Sequence, residues 1–214
     1  MAKRRTDASR RPVSNLLGLA VLSYLTQRPM HAYELQRQLK ENDAAGTFRL
    51  SYGALYSVVR QLLREGFIAV AGSGRTGNQP EHTIYELTSA GEAEMRSWLR
   101  ELLATPRHEY PAFAAALSLV IVLPPAEVTE LLRTRLDRIE HNADDIERRK
   151  DDVVGAGVHP VFLVEDDYRV ALLRAEARFI RELIERINNP DAGWFRTWDH
   201  YHSGTASPPE GEQS

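Results

Sequence analysis

The chain has 214 residues, 43% of them hydrophobic and 27% charged, which is enough to bury a core in one domain or two small ones and ordinary for a soluble globular protein. Cysteine is absent, which excludes disulfides and thiolate chemistry and is compatible with a reducing cytoplasm. The net charge of −3 conceals two parts of opposite sign: residues 1–90 hold 12 Lys and Arg against 7 Asp and Glu, and residues 91–214 hold 15 against 23. A basic part joined to an acidic one suggests a polyanion-binding module attached to something that does not bind polyanions.

Residues 1–12 are polar and basic and read as a disordered arm, which could touch DNA or be simply solvated. With the apolar Leu16–Leu25 behind them they imitate a secretory signal. No small-x-small cleavage site follows, and the run is about half of the ~20 residues a membrane span needs. The expectation is a buried first helix to about Thr26, capped by Ser14 or Asn15, in a cytoplasmic protein with no membrane partner. A second helix covers roughly 31–42, with Tyr33, Leu35 and Leu39 available for packing, and Gly46 marks a turn.

The stretch 51–68 (SYGALYSVVRQLLREGFI) organises the rest. Ser51 suits a helix N-cap. Leu55, Val58, Val59, Leu62 and Leu63 fall on one side at helical spacing. Gly53, Tyr56, Ser57, Arg60 and Arg64 fall on the other, with Tyr52 and Gln61 at its edges. That outer face is hydrogen-bonding at its start, basic further along, and free of acids until Glu65, as a helix entering a DNA major groove requires. A merely solvated face is the bland alternative. After Gly66 the period becomes alternating: Phe67, Ile68 and Val70 read as one strand and residues 83–87 as its partner. The glycine-rich loop 72–81 between them carries Arg75 at its tip. Three helices followed by a two-stranded wing make a winged helix-turn-helix.

Four motifs stand in order: His31-Ala-Tyr33-Glu34-Leu35; Ser51-x-Gly53-x-Leu55-Tyr56; Leu62-x-x-Glu65-Gly66-Phe67-Ile68; and Tyr85-x-Leu87-Thr88-x-x-Gly91. Across about residues 16–98 this pattern resembles the PadR family of bacterial transcriptional regulators. Ala32 departs from it, since glycine is usual there; the added methyl is tolerable in a helix. The resemblance implies a dimeric winged-helix repressor in which Ser51, Tyr52, Gly53 and Tyr56 contact DNA, and some members release DNA on binding small aromatic compounds.

Ser89 and Glu92 read as a capping-box pair opening a helix to about Thr105. The apolar run 112–123 has the length of a buried helix. Pro124 and Pro125 then start a long charged helix in which Leu132, Ile139, Ile146 and Val153 recur every seven residues, a coiled-coil-like seam. Gly155, Gly157 and Pro160 break it before a last helix, about 162–187, striped by Tyr168, Leu172, Ala175, Phe179, Leu183 and Ile187. Such a hairpin does not hide both seams alone, so the expectation is a homodimer using Leu132, Ile139, Ile146, Tyr168, Leu172, Phe179 and Leu183, against an intramolecular bundle. Trp98, Tyr110, Phe113, Tyr168 and Phe179 are a candidate ligand pocket or plain core. Trp194, Phe195 and Trp198 would clamp the C-terminal part onto the body.

The fold expected is mainly α: an arm (1–12), a winged helix-turn-helix (13–88), an antiparallel helical dimerisation domain (89–203) and a disordered tail (204–214). No catalytic constellation, metal set or cofactor motif is found. Gly72-x-Gly74-x-x-Gly77 sits between antiparallel strands rather than joining a strand to a helix, and the Asp199–His202 cluster lacks further ligands. The reading is a dimeric, non-enzymatic regulator, with Ser51, Tyr52, Gly53, Tyr56, Ser57, Arg60, Arg64 and Arg75 on double-stranded DNA and a small aromatic or hydrophobic effector. A winged-helix protein–protein module that binds no DNA is the alternative.

Overall fold

A computed structural model describes residues 11–42, 51–74, 82–106 and 108–202. The chain divides into two compact units, Met1–His108 and Glu109–Ser214. The first holds α1 (Leu16–Leu25), β1 (Met30–His31), α2 (Ala32–Asn42), α3 (Tyr52–Arg64), β2 (Ile68–Gly74), β3 (His82–Leu87) and α4 (Ser89–Ala104).

Asn15 caps α1, its Oδ1 accepting the Leu17 N–H at 3.0 Å. That helix is apolar nearly all round, so it can only be stable when covered. Leu35 and Leu39 of α2, the Leu55, Val58, Val59 and Leu62 face of α3, and Met95 and Trp98 of α4 close one core with it. Tyr33, expected to be available for packing, is exposed instead and stacks on His31.

The wing is part of a three-stranded antiparallel sheet in the order β1-β3-β2, where the sequence suggested two strands. Met30 pairs with Tyr85 and His31 with Ile84. Met30 is buried, and the His31 Nδ1 accepts the Glu34 N–H at 3.0 Å, so extended backbone here both fills the core and starts α2. The β2–β3 register shifts between Val70 and Gly72, leaving Ala71 as the extra residue of a bulge.

Helix α4 falls in the first compact unit, where Met95 and Trp98 join its core. Its cap is Thr88 rather than Ser89. The Thr88 Oγ1 accepts the Gly91 N–H at 3.0 Å and reaches the Gly66 and Phe67 carbonyls at 2.7 and 3.0 Å. A Cβ on Gly91 would lie 1.9 Å from the Phe67 carbonyl oxygen, so only glycine lets α4 approach β2 this closely.

The second unit holds α5 (Ala112–Ser118), a 3-10 turn (Val120–Val122), α6 (Pro125–Gly155), a second 3-10 turn (Pro160–Leu163), α7 (Val164–Asn188), a third (Pro190–Ala192) and α8 (Trp194–His202). Its core joins Val128, Leu132 and Ile139 of α6 to Ala177, Ile180 and Ile187 of α7 and Trp198 of α8. The heptad seam on α6 is therefore covered by its own chain at Leu132, Ile139 and Ile146, while Val153 is exposed. Leu132, Ile139 and Ile146, expected at a dimer face, are buried within their own chain, and Leu183 is half-buried. Tyr168, Leu172 and Phe179 remain exposed. The run 112–123 is corrected too: it is a short helix and a 3-10 turn with no fully buried side chain. Trp198 acts as the expected clamp, its Nε1 donating to the Leu123 carbonyl at 2.8 Å. Among the described residues no helix is long and apolar enough to cross a membrane.

Candidate nucleic-acid interface

Helix α3 begins where Ser51, in an extended backbone conformation, lets its Oγ accept the Ala54 N–H at 3.2 Å. It ends at Gly66, whose φ of +72° is accessible to glycine and strained for other residues. The Gly66 N–H donates to the Leu63 carbonyl and the Phe67 N–H to the Leu62 carbonyl, at 3.0 and 2.9 Å. These two bonds form a Schellman motif and turn the chain directly into the wing. The helix length and its exit are thus set by Ser51 and Gly66.

Between those ends the helix is sharply two-faced. Leu55, Val58, Val59 and Leu62 are buried, and Tyr52, Gly53, Ser57, Arg60 and Arg64 are exposed. Tyr56 is half-buried under Tyr52, ring centroids 4.4 Å apart. A hydrogen bond to Tyr52, and burial after it, pushes the Tyr56 phenol up to about 12. Its hydroxyl stays protonated near neutrality and keeps its donor capacity.

Arg64 lies 3.3 Å from the Glu65 carboxylate, whereas Arg60 has no ion pair among the described residues. A Cβ on Gly53 would meet nothing within 4 Å, so packing among the described residues gives no reason for glycine there. Gln61, at the edge of the exposed face, donates from Nε2 to the Pro12 carbonyl at 2.6 Å. The sequence offered no sign of that bond. Arg75, expected at the wing tip, lies outside the described residues, as does Arg49.

At the start of the unit the Arg11 guanidinium is held by α4. It donates to Glu94 at 2.5 Å, to Glu101 at 2.9 Å and to Ser97 at 3.3 Å, and its charge sits 5.8 Å from the Trp98 ring centre. Burial alone would lower its pKa, but the bonds and charges of Glu94 and Glu101 outweigh that and raise it. Arg11 was expected in a disordered arm. Glu94 and Glu101, two turns apart on one face of α4, were the signal for its binding.

The five aromatics of the candidate pocket do not behave as one set. Trp98 is buried in the first unit's core, whereas Tyr110, Tyr168 and Phe179 are exposed on the second. Phe113 is half-buried there with the Arg135 guanidinium 3.9 Å from its ring centre. A separate apolar depression of about 440 Å³ lies in the second unit, lined by Val120, Ile121, Gly193, Trp194, Thr197 and Trp198. Among the described residues no group of His, Asp or Glu side chains could hold a metal ion.

Residues 21–97, which run from within α1 to the residue before Trp98, match the Transcriptional regulator PadR-like family. Over that stretch the chain is similar to PadR-like transcriptional regulators. The negative transcriptional regulator PadR of Bacillus subtilis (strain 168) is 21% identical over 162 residues, covering 76% of this chain and 87% of that protein. A crystal structure of Bacillus subtilis PadR in complex with operator DNA superposes with a TM-score of 0.68 at 17% identity, covering 81% of this chain and all of the other. The same protein in complex with p-coumaric acid gives 0.65 at 17% identity, covering 81% of this chain and 96% of the other. At these identities the likeness establishes the winged-helix fold with C-terminal helices. The PadR family is one of regulators rather than enzymes.

Proposed function

We propose that this chain is a homodimeric repressor of the PadR kind that lays the N-terminal half of α3 in the major groove of an inverted-repeat operator. One observation carries the reading: the outer face of α3 lies exposed among the described residues. Tyr52, Gly53, Ser57 and Arg60 are exposed on a helix whose inner face is fully buried, and Gly53 faces open space. A glycine inside a helix costs about 0.5–1 kcal/mol relative to alanine, so its use here fits a surface that something else must approach closely. Ser51, Tyr52 and Tyr56 would position or read bases. Arg60 and Arg64, with Arg75 of the wing, would meet phosphates or the minor groove. Two copies related by a twofold axis would engage half-sites about one helical turn (~34 Å) apart.

The dimer reading is supported by the apolar side chains the second unit leaves exposed, Tyr168, Leu172 and Phe179 among them. The effector reading draws on the relative crystallised with p-coumaric acid and on the depression beside Trp194 and Trp198, whose size and apolar lining suit a small aromatic ligand. Added p-coumaric acid should quench tryptophan emission and release DNA. Emission and DNA binding that stay unchanged would remove this compound as effector. The alternative protein–protein module fits the basic face less well, since Arg60 and Arg64 are both exposed there.

The test is binding of the chain to its own upstream region against salt and protein concentration. Sequence-selective, dimeric and salt-weakened binding is expected, and Arg60→Ala should lower the salt slope by roughly one unit. Binding no better than to random DNA would count against an operator in that region, and an unchanged slope would remove Arg60 from the contacts.

A further inference from the structure

Three successive residues at the start of the first unit each hold a different helix. The Arg11 guanidinium donates to Glu94, Ser97 and Glu101 of α4. The Pro12 carbonyl accepts from Nε2 of Gln61 on α3 at 2.6 Å. Val13 is buried against α1 at Gly18, where a Cβ would lie 2.8 Å from Val13 Cγ1 and 3.5 Å from Val58 Cγ1 of α3. Gln61 lies four residues after Ser57 and three before Arg64, so the three side chains form one row on α3. The strap Arg11–Val13 is thus tied to the border of the exposed basic face. The inner face of α3 is held by Leu55, Val58, Val59 and Leu62, and apolar contacts carry no direction of their own. A hydrogen bond does.

We propose that Arg11 and Gln61 are positioning residues for DNA recognition: the strap between them fixes the roll of α3 about its axis, and with it sequence selectivity, without touching DNA. A glutamine on a recognition helix can read adenine, but the Gln61 amide is engaged by Pro12. Arg11 is not a phosphate contact, because its guanidinium faces Glu94 and Glu101. A planar fork that spans two carboxylates fixes direction as well as distance, so Pro12 is held in one place relative to α4. On a helix about 10–12 Å across, a roll of about 20° carries a side-chain tip roughly 2 Å sideways, more than a base hydrogen bond tolerates. Phosphate contacts carry no sequence information, so a loosened roll costs selectivity first. The inference rests on the DNA-binding reading above and deepens it.

The probe is a duplex that the full chain enriches from a random-sequence pool, set against a scrambled duplex of the same composition. Gln61→Ala, Arg11→Ala and the double variant are titrated on both, with melting temperature and active fraction recorded. Each single variant should lower the affinity ratio of selected to scrambled duplex about tenfold, the worth of one good base contact, while keeping the salt slope on the scrambled duplex. The double variant should fall no further than the single ones, since both act through one strap. A merely structural role would lower the melting temperature or the active fraction and leave the ratio of the active protein unchanged, which would overturn the proposal. A ratio lost in Gln61→Ala alone would make Gln61 a base contact, and a slope lower by about one unit in Arg11→Ala would make Arg11 a phosphate contact. Either result overturns the strap while the recognition helix stands. Enrichment of no sequence by the full chain would overturn both this inference and the reading on which it rests.

Discussion

The two units solve the same problem, hiding apolar side chains, in opposite ways. The first closes around α1 with six further elements, and its fit depends on single atoms: the missing Cβ of Gly91, the αL backbone of Gly66, the Thr88 hydroxyl. The second is a long hairpin laced by charges. Arg135 pairs with Glu176, Arg174 with Asp144 and Glu147, Arg181 with Glu140, and Lys150 with Asp167. It leaves Tyr110, Leu119, Val122, Phe162 and Tyr168 exposed. Exposed ion pairs each contribute little, so helix register there comes from the Leu132, Ile139, Ile180 and Ile187 core, with the charges adding alignment. A unit closed by backbone contacts should tolerate substitution poorly at a few points, and one held by many weak pairs should tolerate it broadly.

That contrast can be broken by experiment. The largest effect expected is from Gly91→Ala, whose Cβ would meet the Phe67 carbonyl oxygen at 1.9 Å. It should destabilise the first unit by about 3 kcal/mol or more, measured in urea by near-ultraviolet dichroism. A loss under about 1 kcal/mol would mean that α4 is free to slide. Gly66→Ala comes next. Forcing alanine to φ +72° should cost roughly 1–2 kcal/mol, and Gly66→Asn less than that.

In the second unit Arg135→Ala removes both the Glu176 pair and the contact with Phe113. About 1 kcal/mol is expected, and a loss as large as that at Gly91 would erase the distinction between the units. The smallest effect concerns pH. A hydrogen bond from Arg28 holds the Glu34 carboxyl below its usual range, against the opposing pull of burial. A carboxyl whose pKa is depressed in the folded state adds stability above its unfolded pKa, roughly 4.3, and that contribution disappears as pH falls through the folded value. The difference in melting temperature between the parent and Arg28→Ala should therefore vanish in acid. A difference persisting at pH 2 would assign the effect to packing.

Periodicity served well wherever one face of an element is closed by the same chain. Leu55, Val58, Val59 and Leu62 are all buried, and three of the four motifs fall where Ser51, Gly66 and Gly91 do their conformational work. It failed where the covering partner had to be guessed. The heptad of α6 announces burial but is silent on which helix supplies it, and for Leu132 and Ile139 α7 of the same chain does. The run 112–123 reads as buried by composition and is left open. Strand β1 was illegible, because two residues cannot display an alternation. Helix α8 was hidden because its aromatic spacing resembled a clamp without a scaffold. At the site, the α3 face was legible from residue type and spacing alone. The Gln61–Pro12 bond and the Arg11 clamp were not, since each joins residues far apart in sequence.

The seat of Gly91 on Phe67 carries a consequence for how any signal could reach DNA. Thr88 ties the first turn of α4 to the carbonyls of Gly66 and Phe67, the two residues that terminate α3. Trp98, two turns further on, is locked in the core that α3 closes. A torque applied to α4 therefore passes through these bonds, and α3 turns with it like a key with its bow.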